Sequence, residues 1–465
     1  MRAQSEAFPL DEAGIQQALD TAPRPEAARI HELLAKAREM KGLDDADLPP
    51  LMAIEDPILL QELFDCARWV KDQIYGNRIV MFAPLYVSNL CGNECLYCAF
   101  RASNRELARR TLTQAEIATE VGCLLAQGHK RLVLVAGEAY PKEGLDYILS
   151  AIRTVYEVRH NGENIRRVNV NIAPLDFPDF RRLKETEIGT YQLFQETYHR
   201  ETYARMHPRG LKADFDWRLG CMDRAMQAGI EDVGIGALFG LHDWRFELLA
   251  IMHHARHLEV RFGCGPHTIS VPRIEPAEGS STSEAPPFAV TDAEFRKLIA
   301  ILRLAVPYTG LILSTRERPE VRREALQLGI SQISAGSRTN PGGYEEAAAE
   351  GGAQFSLGDH RELDEVVCDL AQTGFIPSFC TSCYRMGRTG SDFMDLAKPG
   401  EIKAHCHPNA LATLQEYMDD HASPATRAAA ARLLVDSLDE LEGQARTLAE
   451  GMVARVKAGV RDVFC

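Results

Sequence analysis

Three cysteines lie within one short segment, Cys91-Gly-Asn-Glu-Cys95-Leu-Tyr-Cys98. Cysteine thiolates hold iron–sulfur clusters, and a four-iron cluster normally takes four of them. Three thiolates therefore leave one iron free to bind a small molecule. The alternatives are a zinc knuckle and a chance grouping, but structural zinc prefers four protein ligands, and no fourth lies nearby. The spacing predicts a four-iron cluster with an open coordination position.

A second cysteine group lies near the C-terminal end of the sequence. It consists of Cys380-Thr-Ser-Cys383 and of Cys406, which follows after 22 intervening residues. Such a pair with one distant cysteine can also hold a cluster with an open iron. It can equally hold structural zinc, with His405 or His407 as the fourth ligand. The spacing alone leaves both interpretations open.

The middle of the chain has the pattern needed to position these groups, because short β-like runs alternate with helical stretches. Eight such strands with intervening helices predict an α/β fold, a parallel (β/α)8 barrel, whose active site lies where the strands end. The predicted strands begin at Phe82, Arg131, Arg167, Thr190, Asp232, Val260, Gly310 and Ile330. Polar residues after these strands should then meet at one mouth: Cys91, Gly137, Glu138, Gln195, Glu196, His267 and Arg316.

Three regions are predicted along the chain. Residues 1–78 form a helical N-terminal extension, residues 79–344 form the barrel, and residues 345–465 form a mostly helical domain that carries the second cysteine group. The last of these regions is expected to end in one long helix from Pro424 to about Val460. The segment from Ile274 to Val290, rich in Glu, Pro, Ser and Gly, is predicted to be a mobile loop. It either covers the path between the two cysteine groups or is a solvated insertion.

Composition narrows the class of protein. The chain has 465 residues, of which 45% are hydrophobic, so it can bury a large core. Its net charge of -14 argues against a nucleic-acid or anionic-membrane partner. The first residues contain no apolar stretch typical of a secretory signal, and no apolar run is long enough to cross a membrane. The twelve cysteines do not resemble a disulfide framework. We therefore expect a cytoplasmic enzyme in a reducing compartment.

The first cysteine segment resembles the signature of the radical S-adenosylmethionine (SAM) superfamily. This resemblance implies a [4Fe-4S] cluster whose open iron holds SAM by its amino and carboxylate groups. The segment Val-Ala-Gly137-Glu138 resembles the superfamily's Gly-Gly-Glu element, which accepts hydrogen bonds from the SAM ammonium group. An ordinary glycine between strand and loop is the alternative interpretation.

Four further residues are candidates for binding SAM. Asn171 and Glu196 follow predicted strands and could reach the ribose or the methionyl part, although polar residues at strand ends are often merely solvated. Gly234 and Gly236 would let an adenine approach the backbone closely. Tight packing between strands explains these two glycines equally well.

Both cysteine groups and the segment Gly265-Pro-His267-Thr-Ile-Ser-Val-Pro-Arg273 together resemble the HydG family of [FeFe]-hydrogenase maturases. The resemblance extends over nearly the whole chain. HydG enzymes are radical SAM tyrosine lyases related to ThiH, which lacks the full C-terminal cysteine set. The resemblance implies a carbon–carbon lyase that cleaves L-tyrosine at Cα–Cβ to p-cresol and dehydroglycine. Dehydroglycine would then yield carbon monoxide and cyanide, giving an Fe(CO)(CN) precursor of the hydrogenase H-cluster.

The same resemblance implies further cofactors and partners. Cys380, Cys383 and Cys406 would hold an auxiliary [4Fe-4S]-type cluster with a labile fifth iron, and His267 would bind that iron. A lone histidine is more often structural, but neutral imidazole suits iron. Free cysteine is implied as another iron ligand, and an external electron donor and other hydrogenase maturation proteins as partners.

The carboxylate of tyrosine requires a cation, and a planar guanidinium can bind it with two parallel hydrogen bonds. The candidates are Arg316 and Arg338, with Ser337 beside the second. Surface salt links, which contribute little, are the alternative role for these arginines. Three functions thus remain open: a HydG-type enzyme, a ThiH-like 2-iminoacetate synthase for thiazole synthesis, and a non-enzymatic iron–sulfur carrier.

Overall fold

The computed structural model describes residues 8–22, 25–139, 143–346 and 351–465. Its centre is a closed barrel of eight parallel strands, in which each strand pairs with the next and the eighth returns to the first. This confirms the predicted (β/α)8 barrel. The strands are β1 Arg78–Ser88, β2 Arg131–Ala136, β3 Arg167–Asn171, β4 Tyr191–Gln192, β5 Val233–Gly236, β6 Thr268–Ser270, β7 Gly310–Leu313, β8 Gln332–Ser334 and an additional β9 Ile376–Ser378.

Helices surround the barrel and form both extensions. They are α1 Glu12–Asp20, α2 Ala27–Ala37, α3 Leu48–Met52, α4 Pro57–Ile74, α5 Gln114–Ala126, α6 Leu145–Glu157, α7 Phe177–Lys184, α8 Arg200–Met206, α9 Phe215–Leu219, α10 Cys221–Gln227, α11 Trp244–Phe262, α12 Ser281–Glu284, α13 Asp292–Ala305, α14 Pro319–Leu328, α15 Leu363–Gln372, α16 Ser382–Arg385, α17 Gly390–Ala397, α18 Ile402–Asp420, α19 Pro424–Asp439 and α20 Gly443–Lys457. Two short 3-10 turns lie at Asp45–Asp47 and Leu211–Ala213.

Local sequence explains where the barrel helices begin. Thr113 starts α5 with a capping box, in which its hydroxyl accepts a hydrogen bond from the backbone of Glu116 while the Glu116 carboxylate accepts one from the backbone of Thr113. Thr291 and Glu294 repeat this arrangement at the start of α13. Each box satisfies backbone N–H groups that the first helical turn leaves without partners.

The predicted sixth strand is wrong. The run from Val260 is the last turn of α11, which ends at Gly263 in the left-handed conformation, with φ 78°. Valine and phenylalanine favour strands locally, but here they continue a long helix, and tertiary packing decides such conflicts. The sixth strand is Thr268–Ser270. His267 therefore precedes β6 instead of following it, and it lies at the opposite end of the barrel from the predicted mouth.

Alternation along β1 separates the barrel interior from the helix layer. Phe82 and Tyr86 line the interior, whereas Met81 and Leu85 point outward and are fully buried in the main core. The same period of two places Val133 inside and Leu134 outside on β2. The outward residues of the strands thus pack on the helices, and the inward residues are left to build cavities.

The C-terminal region has a second core of its own and also extends the sheet. Leu411 and Leu414 of α18 pack there against Leu434 of α19 and Val453 of α20. Strand β9 pairs in parallel with Arg78–Val80, the first residues of β1, so this region is not purely helical. The predicted single last helix is two helices, because the chain breaks between Asp439 and Gly443, where the glycine has φ 55°. Within the described residues, no helix is both long and apolar enough to cross a membrane.

A buried lysine connects the N-terminal helix α4 to the barrel helix α14. Lys71 of α4 is fully buried, and its Nζ donates to the carbonyl oxygen of Leu326 on α14 at 3.0 Å. The same Nζ lies 4.4 Å from the ring centroid of Phe375. Burial disfavours the charged form and lowers the pKa of Lys71 to about 7. In the unfolded chain this amine stays protonated up to about pH 10.4.

Replacing Lys71 by methionine should therefore change how stability depends on pH. Between about pH 7 and pH 10 the unfolded wild type binds one more proton than the folded protein, so its stability rises with pH. The variant lacks this group, so its stability does not rise in the same way. The free energy of unfolding of the variant minus that of the wild type should therefore fall by up to roughly 1.4 kcal/mol per pH unit as the pH rises. Urea unfolding at pH 7.5, 8.5 and 9.5 measures the difference, and a constant difference would contradict the assignment.

Candidate active site and second cysteine site

The first cysteine group lines a cavity at the C-terminal end of the barrel. Cys91, Cys95 and Cys98 follow β1 and face a space of about 1260 Å³, counted out to its open mouth. The loop is held by backbone hydrogen bonds to the end of α8 and the residues after it, from Leu96 N to Met206 O and from Glu94 N to Arg209 O, both at 3.0 Å. Burial raises the pKa of all three thiols, that of Cys98 to about 11. Such thiols become thiolates when a metal binds them, so the site suits an iron–sulfur cluster.

Gly137 and Glu138 lie against this loop, as the sequence predicts. The backbone N–H of Gly137 donates to Ser88 O at 2.9 Å, and a Cβ on Gly137 would collide with the carbonyl oxygen of Leu90. Only glycine lets the end of β2 approach the cysteine loop so closely. The Glu138 carboxylate accepts a hydrogen bond from Asn93 of the loop at 2.8 Å. The strand end and the loop are thus fixed to each other.

Two cations beneath the loop were not identified from the sequence. Arg218 Nη1 lies 2.9 Å from Glu138 Oε1, and Lys212 Nζ lies 2.6 Å from Glu196 Oε1. Burial opposes the ionisation of Glu138, but the charges of Arg218 and Lys212 together outweigh it and lower the pKa of that carboxyl. The pKa of Glu196 is lowered in the same way, against burial, chiefly by Lys212. The four buried groups form a balanced charge network at the cavity floor.

The predicted SAM-binding residues divide into two groups. Asn171 and Glu196 line the cavity, and Glu196 has a left-handed backbone with φ 73°, a conformation that non-glycine residues rarely keep outside functional sites. Gly234 and Gly236 do not line it. A Cβ on Gly234 would collide with the side chains of Thr268 and Gln192, and one on Gly236 with the carbonyl oxygen of Ser270. These two glycines are therefore explained by packing inside the barrel.

The candidate residues for binding a substrate carboxylate also differ in whether they line the cavity. Arg316 lines the cavity and stacks its guanidinium 3.3 Å from the ring centroid of Phe355. Within the described chain it forms no ion pair, and its closest acceptor is Arg273 O at 3.5 Å. Ser337 also lines the cavity, with a buried hydroxyl that has no hydrogen-bond partner. Arg338 lies outside the cavity, in an ion pair with Glu362 at 2.7 Å, because its side chain points toward α15.

The segment from Ile274 to Val290 covers the cysteine loop. Ser280 Oγ donates to Leu96 O at 2.7 Å, and the side chain of Asn104 donates to Glu278 O at 3.0 Å. The segment contains the short helix α12 and is not a solvated insertion. It lies over the first cysteine group, so it does not cover a path between the two groups.

The second cysteine group lines a separate pocket at the N-terminal end of the barrel. Cys380, Cys383 and Cys406 surround a space of about 520 Å³, and His267 lies in its wall. Cys380 follows β9, and Cys406 lies in the first turns of α18. Cys383 hydrogen-bonds to Cys406 and thereby lowers the pKa of the Cys406 thiol. The pairing of β9 with β1 is what brings these cysteines under the barrel.

His267 is placed so that one ring nitrogen is available to a metal. Its Nδ1 lies 3.3 Å from Asp232 Oδ1, close enough for an ionic contact but outside hydrogen-bonding geometry. Asp232 Oδ1 also accepts from Gly390 N at 3.0 Å. Burial lowers the pKa of His267, which keeps the imidazole neutral. A carboxylate behind a neutral histidine is the usual support for a metal ligand.

Neither cysteine group is arranged around a single ion. Among the residues that the structure describes, no three Cys, His, Asp or Glu side chains meet closely enough to hold one metal ion. In an iron–sulfur cluster the cysteines bind different irons, so the thiols surround a volume rather than a point. His405 and His407, which would complete a zinc site, do not line the second pocket. Both groups fit a cluster better than zinc.

Replacing Arg218 by methionine should destabilise the protein by about 3–5 kcal/mol, because it leaves two buried carboxylates with one cation, and Glu138 loses its close partner. Arg224 provides the matched control, since it is also buried but donates only to the carbonyl oxygens of Leu175 and Trp217. Its methionine variant should lose about 1–3 kcal/mol. Urea unfolding of both variants tests the network, and equal losses would show that the charges of Arg218 are not needed.

Two family models match this chain. The model described as the Radical SAM superfamily matches residues 85–253, and the one described as the Biotin and Thiamin Synthesis associated domain matches residues 270–376. The chain is 36% identical to 2-iminoacetate synthase of Escherichia coli (strain K12) over 334 residues. That alignment covers 70% of this chain and 85% of the relative.

Two solved structures resemble this one over almost its full length. One is a crystal structure of HydG, a maturase of the [FeFe]-hydrogenase, with 46% identity and a TM-score of 0.94, covering 98% of this chain and 99% of that one. The other is the FeFe-hydrogenase maturase HydG from Carboxydothermus hydrogenoformans, with 40% identity and a TM-score of 0.83. It covers 95% of this chain and 98% of that one.

Proposed function

Because this chain belongs to the radical SAM tyrosine lyase family that contains 2-iminoacetate synthase and HydG, we propose that it is an enzyme of the HydG type. It would cleave the Cα–Cβ bond of L-tyrosine to p-cresol and dehydroglycine. It would then convert dehydroglycine to carbon monoxide and cyanide for an Fe(CO)(CN) precursor of the hydrogenase H-cluster. The observation that carries the proposal is the pair of thiol-lined pockets at opposite ends of one barrel.

At the first pocket, a cluster held by Cys91, Cys95 and Cys98 with SAM bound would supply a radical that abstracts a hydrogen atom. The protein would orient SAM and exclude water. Glu138 and Asn171 offer oxygen acceptors beside the cysteine loop, and the segment from Ile274 to Val290 closes that loop from solvent. Excluding water protects reactive species from side reactions.

Tyrosine would bind in the same cavity with its carboxylate on Arg316. This guanidinium is half-buried and forms no ion pair within the described chain, and the Ser337 hydroxyl, which lines the same cavity, has no hydrogen-bond partner there. A cation without a counter-ion and a hydroxyl without a hydrogen-bond partner in one cavity are complementary to a carboxylate. Phe82, Val133 and Ile312 form an apolar cluster deeper in the barrel, a suitable surface for the aromatic ring.

At the second pocket, Cys380, Cys383 and Cys406 would hold the auxiliary cluster, and His267 would bind a labile fifth iron through its free nitrogen. Dehydroglycine would reach this pocket through the barrel interior. Phe82 and Ser334 line the upper cavity, and Val80 and Gln332, two residues earlier on the same strands, line the lower one. The two pockets are therefore separated by only about one layer of side chains.

The alternative enzyme stops at dehydroglycine, as a 2-iminoacetate synthase for thiazole synthesis. The observation against it is the second thiol-lined pocket with its histidine and carboxylate, which such an enzyme would not need. The extent of the matches also favours the HydG type. The HydG structure covers 98% of this chain, whereas the 2-iminoacetate synthase alignment covers 70%. Membership of an enzyme family removes the third hypothesis, a non-enzymatic carrier.

The proposal includes several partners. An external electron donor would reduce the first cluster, free cysteine would bind the labile iron, and other hydrogenase maturation proteins would receive the product. The twelve cysteines form no disulfides with one another. This agrees with a cytoplasmic location, where reducing conditions keep thiols free.

Cysteine variants test the two pockets separately. Cys95→Ala should abolish both p-cresol and carbon monoxide, because the first pocket supplies the fragment for the second. Cys383→Ala should keep p-cresol formation within about threefold of wild type and abolish carbon monoxide, since a cluster with two thiolates left is poorly held. Anaerobic assays with tyrosine, SAM and a reductant measure both products.

The control for these variants is Cys66→Ala. Cys66 is fully buried but lies in α4 and lines neither pocket, and its thiol donates to Leu34 O at 3.6 Å. It should retain both products. Carbon monoxide from the Cys383→Ala protein would contradict the role of the second pocket, and unchanged p-cresol from Cys95→Ala would contradict that of the first.

Arg316→Met should raise the KM for tyrosine about 10- to 100-fold, the usual loss for a hydrogen-bonded charge pair. Arg316→Lys should raise the KM less, because lysine keeps the positive charge but lacks the planar guanidinium that donates two parallel hydrogen bonds. Arg338→Met is the matched control and should stay within about twofold, since this arginine is paired with Glu362. The measurement is p-cresol formation against tyrosine concentration, and equal effects of the two methionine variants would refute the assignment.

A further inference from the structure

Three neighbouring strands of the barrel begin with arginine. These are Arg78 on β1, Arg131 on β2 and Arg167 on β3. Each lies an even number of residues before inward-facing positions of its own strand, and Arg131 and Arg167 are paired in register. Their side chains therefore enter the N-terminal end of the barrel. Arg78 and Arg131 line the second cysteine pocket.

Arg78 differs from the other two in having no partner. Arg131 Nη2 donates to Cys380 O at 2.8 Å, and Arg167 donates to the carbonyl oxygens of Glu187 and Ile188 at 3.2 and 2.6 Å. Within the described chain, the side chain of Arg78 makes no hydrogen bond and no ion pair, and its Nε is buried without an acceptor. The residue is 8% exposed. Its nearest ring is Tyr75, at 5.8 Å from Cζ to centroid.

Among the residues that the structure describes, no aspartate or glutamate lines the pocket, so no carboxylate there neutralises Arg78. Asp232, the buried acid behind His267, already contacts His267 and the backbone of Gly390. A buried cation without a counter-charge is strongly unfavourable. Thiolates bound to iron would supply negative charge, but a point charge does not require the planar fork of a guanidinium, which matches two oxygens of one carboxylate.

We propose that Arg78 binds the α-carboxylate of a small amino-acid-like molecule in the second pocket, opposite His267. This inference rests on the proposed function, which brings two such molecules to the pocket: free cysteine as an iron ligand, and dehydroglycine as the fragment to be converted. Both carry the same carboxylate. Arg78 would act as a positioning residue that sets the orientation of the molecule relative to the iron.

The test measures ligand binding to the iron-reconstituted full-length protein under anaerobic conditions. L-Cysteine and cysteamine, which lacks only the carboxylate, are titrated by calorimetry. Wild type should bind cysteine about 10- to 100-fold more tightly. Arg78→Gln should reduce this preference to less than about threefold. Arg78→Lys keeps the positive charge, so it controls for misfolding caused by loss of the charge, and its preference should lie between those of wild type and Arg78→Gln. Iron content is measured on each protein.

Arg167→Gln is the matched control. It also replaces the first, inward-pointing residue of a strand, but its guanidinium already donates to two backbone carbonyls. Its preference for cysteine should stay within about twofold of wild type. Glycine, a thiol-free stand-in for dehydroglycine, distinguishes the two sources. If glycine binds to wild type and loses affinity in both Arg78 variants, dehydroglycine is the ligand; if only the cysteine preference changes, free cysteine is.

A different result would overturn the inference. If the Arg78 variants lose iron but keep the wild-type preference for cysteine over cysteamine, Arg78 only balances the charge of the cluster. If wild type shows no preference, and glycine does not bind, no carboxylate is recognised. Failure of the proposed function is distinguishable from both, because reconstituted wild type would then hold about four irons in place of eight or nine and would bind neither thiol.

Discussion

Strand β1 is the structural element on which both sites depend. Its eleven residues, Arg78–Ser88, are hydrogen-bonded to β2, β8 and β9, and at about 3.3 Å per residue they span roughly 35 Å. The end of the strand leads directly into the loop of Cys91, whereas its start pairs with β9 and so fixes Cys380. A single strand therefore sets the distance and relative orientation of two thiol groups that lie almost 300 residues apart in sequence.

The two ends of the barrel manage buried charge in opposite ways. At the upper end, Glu138 and Glu196 are matched by Arg218 and Lys212, so the floor of the cavity is neutral and rigid before any ligand binds. At the lower end, arginines exceed carboxylates, and Arg78 has no partner in the described chain. The upper network can therefore orient a cofactor without being displaced by it. The lower pocket therefore needs negative charge that no described carboxylate lining it supplies, either from metal-bound thiolates or from a bound anion.

The sequence predicted the features that depend on local pattern. The cysteine spacings, the alternation of strands and helices, and the Gly137-Glu138 strand end were sufficient for the barrel and for the position of the first cavity. The sixth strand was wrong because Val260 and its neighbours favour strands locally while belonging to α11. That error put His267 at the wrong end of the barrel. The family resemblance had assigned His267 to the second cysteine group, and the correct position of β6 places it in the wall of that pocket.

Other parts of the site could not be predicted, because they depend on contacts between distant segments. Lys212 and Arg218 lie in no recognisable motif and become functional candidates only when they fold against Glu196 and Glu138. Arg316 and Arg338 look equivalent in sequence, both near strand ends. In the fold, Arg316 lines the cavity, whereas Arg338 lies outside it and pairs with Glu362 of a later segment. A partner supplied by tertiary structure thus decides which arginine stays available for a ligand.

The glycine at position 234 shows how the interior between the two pockets is built. A side chain there would collide with Gln192 and Thr268, so the glycine leaves space for these polar groups near the barrel axis. Within the described part of the chain, Gln192 Nε2 and Thr268 Oγ1 are buried without hydrogen-bond partners, which is costly unless another group bonds to them. A small polar fragment passing between the pockets would satisfy both. Under the proposed function, this unmet hydrogen-bonding capacity lowers the cost of moving such a fragment through the apolar layer of Phe82, Val133 and Ile312.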